Sequence, residues 1–182
     1  MAAGAHVITI ASGPEKGKLC EKLGAELAID RTSEDIFEKV MAHTNERGAD
    51  VVCDLVGGDG TETIWTCVAY DGRYLPVGFN DDNESGLTGR PLRKVSTGDF
   101  SVVGVLPAYM EPSLPMRRFG VTPNPPGRGT EVHAALGKLI ADGAIRPYVG
   151  RRIGLGGVAS ALEDHAERRT SGRTVVDLSL PA

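Results

Sequence analysis

Residues able to do chemistry gather in this chain where apolar runs end in glycine. Within GADVVCDLVGGDGTETIWTCVAYDGRYLPVGFN, residues 48–80, the run Asp50 to Leu55 stops at Gly57-Gly58, and a second run, Arg73 to Val77, stops at Gly78. Glycine lets backbone approach a flat ring closely, and ligands of open α/β sheets sit outside the carboxyl ends of the strands. Val56, Gly57 and Gly58 therefore line one expected crevice with Gly78, Phe79 and Asn80; simple packing after a strand is the plain alternative. Ser12 and Lys16 follow an earlier run, His6 to Ile10. A hydroxyl and an ammonium offer an anion a hydrogen bond and a charge partner. Standing alone, they read as a turn residue and a solvated helix residue.

Metal chemistry has no comparable signal. His6, His43, His133 and His165 are scattered, and no Cys-x-x-Cys pair is present. Cys20, Cys53 and Cys67 are odd in number and widely spaced. They are expected to be buried free thiols in a reducing, cytoplasmic compartment.

The elements that must position these residues alternate. His6 to Ile10 reads as a strand, Pro14 to Leu23 as a helix punctuated by Gly24, and Leu27 to Ile29 as a second strand. Ser33 is expected to cap a helix running to about Thr44. Asp50 to Leu55 is then a buried parallel strand, Thr61 to Tyr70 a helix, and Arg73 to Val77 a further strand. Asp81 to Gly98 reads as a loop and Phe100 to Leu106 as a strand. The six prolines and three glycines of Pro107 to Gly129 predict an irregular excursion. A helix from Thr130 to Asp142 follows, with Ala134, Leu136, Leu139 and Ile140 as its apolar stripe. A strand near Tyr148 to Ile153, a helix from Val158 to Arg169 and a strand from Thr174 to Leu178 complete the pattern, which is that of a parallel, doubly wound α/β sheet.

Composition narrows the function classes. The chain has 182 residues, long enough for one domain with an appendage, and a net charge of −4 gives no electrostatic case for nucleic acid. No apolar run approaches membrane-spanning length, and Met1 to Gly4 carries no leader pattern, so no membrane partner is expected.

The segments GAHVITIASGPEKGKLCEKLGAELAID, RGADVVCDLVGG, DGRYLPVGF, FSVVGV and RRTSGRTVVDL closely resemble the cofactor-binding half of medium-chain dehydrogenase/reductases, nearest the zinc-independent NADPH:quinone oxidoreductases. The likeness runs in order over nearly the whole chain and departs at Pro107 to Gly129. It implies a Rossmann-type sheet that is N-terminally truncated, because the family's first strand, its glycine-rich pyrophosphate turn and a GroES-like barrel precede the segment that begins here at Ala3-Gly4-Ala5-His6. It also implies residues 1–146 as the NADP-binding part and 147–182 as a tail that packs with the barrel. Without the first strand, the remaining strands must close the gap, recruit another chain or leave an exposed edge.

The resemblance assigns site residues one by one. Ser12 and Lys16 fall where an NAD-binding protein presents an acid to the ribose 2′-hydroxyl, and they suit the 2′-phosphate of NADPH instead. Arg31 stands near the adenine end, as a phosphate contact or a plain surface arginine. Val56, Gly57 and Gly58 lie near the nicotinamide ribose, and Gly78, Phe79 and Asn80 beside the nicotinamide. Val103, Gly104 and Val105 meet the ring edge on a strand that pairs across a dimer in relatives, and Arg173 reaches the cofactor from the tail. No catalytic residue is assigned. Two lookalikes carry less weight: Gly154-Leu155-Gly156-Gly157 suits the start of a helix better than a nucleotide loop, and the methyltransferase-like Asp54 to Gly60 follows two strands rather than opening the sheet.

The expected function is therefore the cofactor-binding part of an NADPH-dependent oxidoreductase that transfers hydride to a quinone or activated alkene. The expected partner is a second copy through the Phe100 to Leu106 strand, or a separately encoded N-terminal half. The alternative is a non-catalytic remnant or split-enzyme subunit that acts only through association with another chain.

Overall fold

A computed structural model describes residues 4–78 and 93–181. The chain divides into two compact units, the first running to His133 and the second from Ala134. In the first, β1 (Ile8–Ala11) leads through α1 (Pro14–Lys22) to β2 (Leu27–Asp30), and α2 (Ile36–His43) leads to β3 (Ala49–Asp54). Then α3 (Thr61–Thr66), β4 (Val68–Pro76), α4 (Arg93–Gly98), β5 (Ser101–Val102) and α5 (Leu114–Arg118) follow. The boundary falls within α6 (Pro126–Ala141); the second unit continues with β6 (Val149–Ile153), α7 (Val158–Ala166) and β7 (Arg173–Val176).

All strand pairings between these elements are parallel. They form three sheets, ordered β1-β2, β3-β4-β5 and β6-β7. The fold is thus α/β with parallel strands, but β1 and β3 are not paired with each other. Helices join what strands do not: α2 packs against α3, and Ile29 of β2, Val40 of α2 and Cys67 after α3 share one buried cluster. A second cluster is aromatic. Trp65 meets Tyr74 edge-on at 5.8 Å between centroids and Phe100 at 6.0 Å, with Val52, Ile64, Val95 and Val102 around them.

Several local expectations are corrected. Asp35, not Ser33, caps α2, accepting from the Glu38 amide at 3.0 Å. The helix expected to reach Tyr70 ends at Thr66, because Val68 pairs with Ala49 and joins β4. Residues 69–72 then bulge opposite Asp50, with Asp71 at φ 57. Residues 93–98 are helical rather than loop; the rest of that expected loop lies outside the described residues. The strand expected over Phe100 to Leu106 shrinks to Ser101–Val102, extended by one bond from the Val103 amide to the Tyr74 carbonyl. The proline-rich excursion contains α5, capped by Ser113, and Pro126 opens α6, since proline is tolerated in a first helical turn.

β3 is not the fully buried strand expected. Val52 faces the aromatic cluster, whereas Val51 is 52% and Leu55 61% exposed, and Cys53 is exposed between them. Cys20 is half-buried; of the three thiols Cys67 is the buried one, and its burial pushes its pKa up. The stripe of α6 is also open, with Leu136 and Ile140 exposed. Among the described residues no helix is long and apolar enough to cross a membrane.

Candidate functional site

β3 ends on Asp54, and the backbone beyond it is knotted to that residue. One carboxylate oxygen, Oδ1, accepts from the Val56 and Gly57 amides at 2.9 Å each, and Oδ2 accepts from the Tyr74 hydroxyl at 2.6 Å. Its carbonyl receives the Val77 and Gly78 amides at 2.8 and 3.0 Å, which lashes the end of β4 to the end of β3. Gly57 sits at φ 67, ψ −150, a region open essentially to glycine alone, and Gly58 at φ 75 begins the short turn into α3. Gly78 is needed for a different reason: a Cβ there would meet the Leu55 carbonyl oxygen at 2.2 Å.

These contacts bring Val56, Gly57 and Gly78 together as one shelf, with Gly58 buried in the turn that follows. The bond from Val103 to Tyr74 sets the start of the Val103-Gly104-Val105 segment beside β4, with Val103 and Val105 exposed and open space at Gly104. Phe79 and Asn80 lie outside the described residues.

The ends of β1 and β2 form a second group. Arg31 donates from Nε to Ser12 Oγ at 2.7 Å, and the Arg31 amide donates to the Ala11 carbonyl. Because Ser12 accepts in that bond, its hydroxyl proton is left to donate elsewhere. Lys16 lies half-buried in the first turn of α1, beyond Gly13. A cation and a hydroxyl donor held side by side at strand ends can bind a phosphate monoester.

Sequence reasoning missed the two aspartates that hold these turns. Asp30 closes β2 and reaches the β1 turn, accepting from the Gly13 amide at 2.9 Å and from the Thr32 amide and hydroxyl at 3.0 and 2.7 Å. The Thr32 hydroxyl first, then the Gly13 and Thr32 amides, hold its carboxyl below the usual carboxylate range. An aspartate at a strand end, accepting from an amide two residues on, is the Asx-turn signal that could have found both.

In the second unit Arg173 opens β7, its amide donating to the Tyr148 carbonyl. Arg151 and Arg169 both donate to Asp164, and those bonds hold its carboxyl low. Gly154 to Gly157 is a short turn that runs directly into α7 and so starts a helix, and Gly154 is required there because a Cβ would meet the Pro181 carbonyl oxygen at 2.0 Å.

A sequence model of the zinc-binding dehydrogenase family matches residues 1–112, and the chain belongs to that family. It is 33% identical over 175 residues to a quinone oxidoreductase of Pseudomonas aeruginosa, covering 96% of this chain and 50% of that protein. A crystal structure of a quinone oxidoreductase from Pseudomonas syringae pv. tomato DC3000 superposes with a TM-score of 0.75 at 26% identity, covering 96% of this chain and 50% of that one. A mycobacterial protein solved in complex with NADPH superposes at 0.74 with 24% identity, covering 99% and 51%, and shares the fold. The chain spans about half the length of these relatives.

Ser12 and Arg31 thus pair a hydroxyl with a cation, and Val56 and Gly57 form a turn of close-packed backbone, which are the features the phosphate and ring ends of a dinucleotide call for. These residues do not fit a zinc ion. Among the described residues no group of three or more His, Cys, Asp or Glu side chains is placed to hold a metal.

Proposed function

We propose that this chain is the cofactor-binding part of an NADPH-dependent oxidoreductase that transfers hydride to a quinone or an activated alkene. The observation that carries it is the Arg31 to Ser12 hydrogen bond, which readies a cation and a hydroxyl donor where a 2′-phosphate would sit. Nicotinamide supplies the hydride chemistry when bound. The part of this chain is to hold the phosphate end with Ser12, Lys16 and Arg31 and to seat the ring end on Val56, Gly57, Gly58 and Gly78. Val103, Gly104 and Val105 form a further wall, and Arg173 is assigned to the cofactor by the family resemblance alone. Quinones accept hydride readily, so orientation in a dry cleft is what this half contributes, and no acid or base is assigned. Residues 1–146 hold the cofactor, 147–182 join a catalytic domain, and the free thiols fit a cytoplasmic setting.

Titration of the purified chain with NADPH and NADH, followed by fluorescence, tests this reading. Saturable binding with NADPH preferred is expected, and absence of binding at millimolar cofactor would remove it.

A second reading has its own observation. Among the described residues β1 and β3 each pair on one side, Ile10 and Val51 are exposed on them, and Leu55 is exposed just past β3. An unpaired edge beside apolar surface invites another strand. Association, through these edges or through the exposed Val103 to Leu106 segment, is what a split-enzyme subunit or a homodimer would use. Sedimentation of the purified chain, with and without a separately produced N-terminal half, measures it; a monomer that binds NADPH fully and ignores the added half would exclude it.

A further inference from the structure

We infer that Asp54, held by Tyr74, is a positioning residue that makes the turn after β3 refuse phosphate and accept the uncharged end of a dinucleotide. This rests on the cofactor reading above and adds the residue that fixes which way round the cofactor lies. All three groups facing the Asp54 carboxylate are donors, the Val56 amide, the Gly57 amide and the Tyr74 hydroxyl. An ionised carboxylate, which can only accept, satisfies all three. Tyr74 is 1% exposed and packed edge-on against Trp65, so its hydroxyl has a fixed place. Orientation thus passes from the aromatic cluster through the phenol to the carboxylate and then to two backbone amides.

The consequence is electrostatic. Successive backbone amides in a glycine turn are the ordinary means of binding a phosphate. Here the Val56 and Gly57 amides are already committed to an internal anion, and a phosphate brought to the same turn would meet that carboxylate's charge. What the turn can offer is Val56, 39% exposed, and close approach along its glycine backbone. An uncharged ribose and ring suit that surface. At the other end Asp30 likewise holds the Gly13 amide, but the Arg31 guanidinium beside Ser12 offsets that charge and offers a phosphate a cation. The donors on Asp54, by contrast, are all uncharged, and the two ends together give the dinucleotide one direction.

The test compares Tyr74→Phe and Asp54→Asn with the parent chain by amide hydrogen exchange and by binding of two probes. NADPH spans both ends; adenosine 2′,5′-bisphosphate carries the 2′-phosphate and lacks the nicotinamide. Tyr74→Phe keeps the buried ring and removes one charge-assisted bond. It is expected to speed exchange at Val56 and Gly57 and to weaken NADPH by about tenfold, with the bisphosphate unchanged. Asp54→Asn keeps an acceptor for the amides, so protection should persist, while inorganic phosphate should compete with NADPH more strongly than in the parent chain and compete with the bisphosphate no more strongly than before. Equal losses for both probes, or looser amides with NADPH affinity unchanged, would overturn the inference and leave Asp54 a purely structural turn residue. If the parent chain binds the bisphosphate but not NADPH, the ring end is not a site and the inference falls while the phosphate site stands. If it binds neither probe, the cofactor reading itself fails and the inference falls with it.

Discussion

Two strands of this molecule end on aspartate, and the two ends are built differently. Asp54 connects its turn to the interior, because Tyr74 carries the carboxylate's orientation from a buried aromatic cluster. Asp30 ties its turn to polar neighbours near the surface, the Gly13 amide and Thr32. The same residue type at the same topological position therefore makes a rigid shelf in one place and a solvent-facing polar cradle in the other. On the proposed reading the ring end of the cofactor takes the first and the phosphate end, with Arg31 as its cation, takes the second.

The sharpest way to break this contrast is to remove the aromatic support. Trp65→Ala takes out the ring that packs on both Tyr74 and Phe100 and should cost about 3–5 kcal/mol of stability, the range for a buried aromatic truncation. In the fraction that remains folded, exchange should quicken at Val56 and Gly57 while Gly13 and Thr32 keep their protection. Equal loosening at both turns would show that the two ends are not independently held.

Gly57→Ala acts on the shelf itself. Its φ 67, ψ −150 backbone strains any side-chain-bearing residue, and a penalty of about 1–3 kcal/mol is expected in chemical denaturation. NADPH should weaken more than adenosine 2′,5′-bisphosphate. A smaller effect, confined to the other end, is expected from Arg31→Ala: about tenfold weaker NADPH with NADH unchanged, and little change in the unfolding midpoint, since Arg31 is exposed. Loss of NADH binding as well would place Arg31 elsewhere than against a 2′-phosphate.

How much of this was legible in the sequence depended on whether the determining contact is local. Apolar runs ending in glycine marked Gly57, Gly58 and Gly78 because the strand pattern and the strained turn sit within a few residues of each other. The end of α3 was not legible. Ile64, Trp65 and Val68 continue a helical spacing, and what stops the helix is the pairing of Val68 with Ala49, a contact between distant segments. The Asp54 to Tyr74 bond spans twenty residues and has no local signature, so Asp54 read only as part of the strand run Asp50 to Leu55. Asp35 was missed for a simpler reason: Ser33 and Asp35 are both good caps, and the Glu38 amide at the right spacing chooses between them.

The mildest prediction concerns the polar cradle and pH. Hydrogen bonds from the Thr32 hydroxyl and then the Gly13 and Thr32 amides lower the Asp30 pKa in the folded state below its ordinary value of 3.8. A carboxyl with a depressed folded-state pKa binds protons more readily when unfolded. Its stabilising contribution is therefore fully present above the ordinary value and is lost as pH falls through the lower, folded one. Stability should stay level on this account from neutral pH down to roughly pH 5 and decline only in stronger acid. The effect should be slight, because solvent screens an exposed group. The amide proton shift of Gly13 is the direct readout, since that amide donates to the carboxylate that titrates. Its midpoint should lie below that of an unstructured aspartate, and Asp30→Asn should abolish the titration. A midpoint at or above the ordinary value would mean that the Gly13 and Thr32 bonds do not hold the carboxylate in solution, and the cradle at the proposed phosphate end would lose its support.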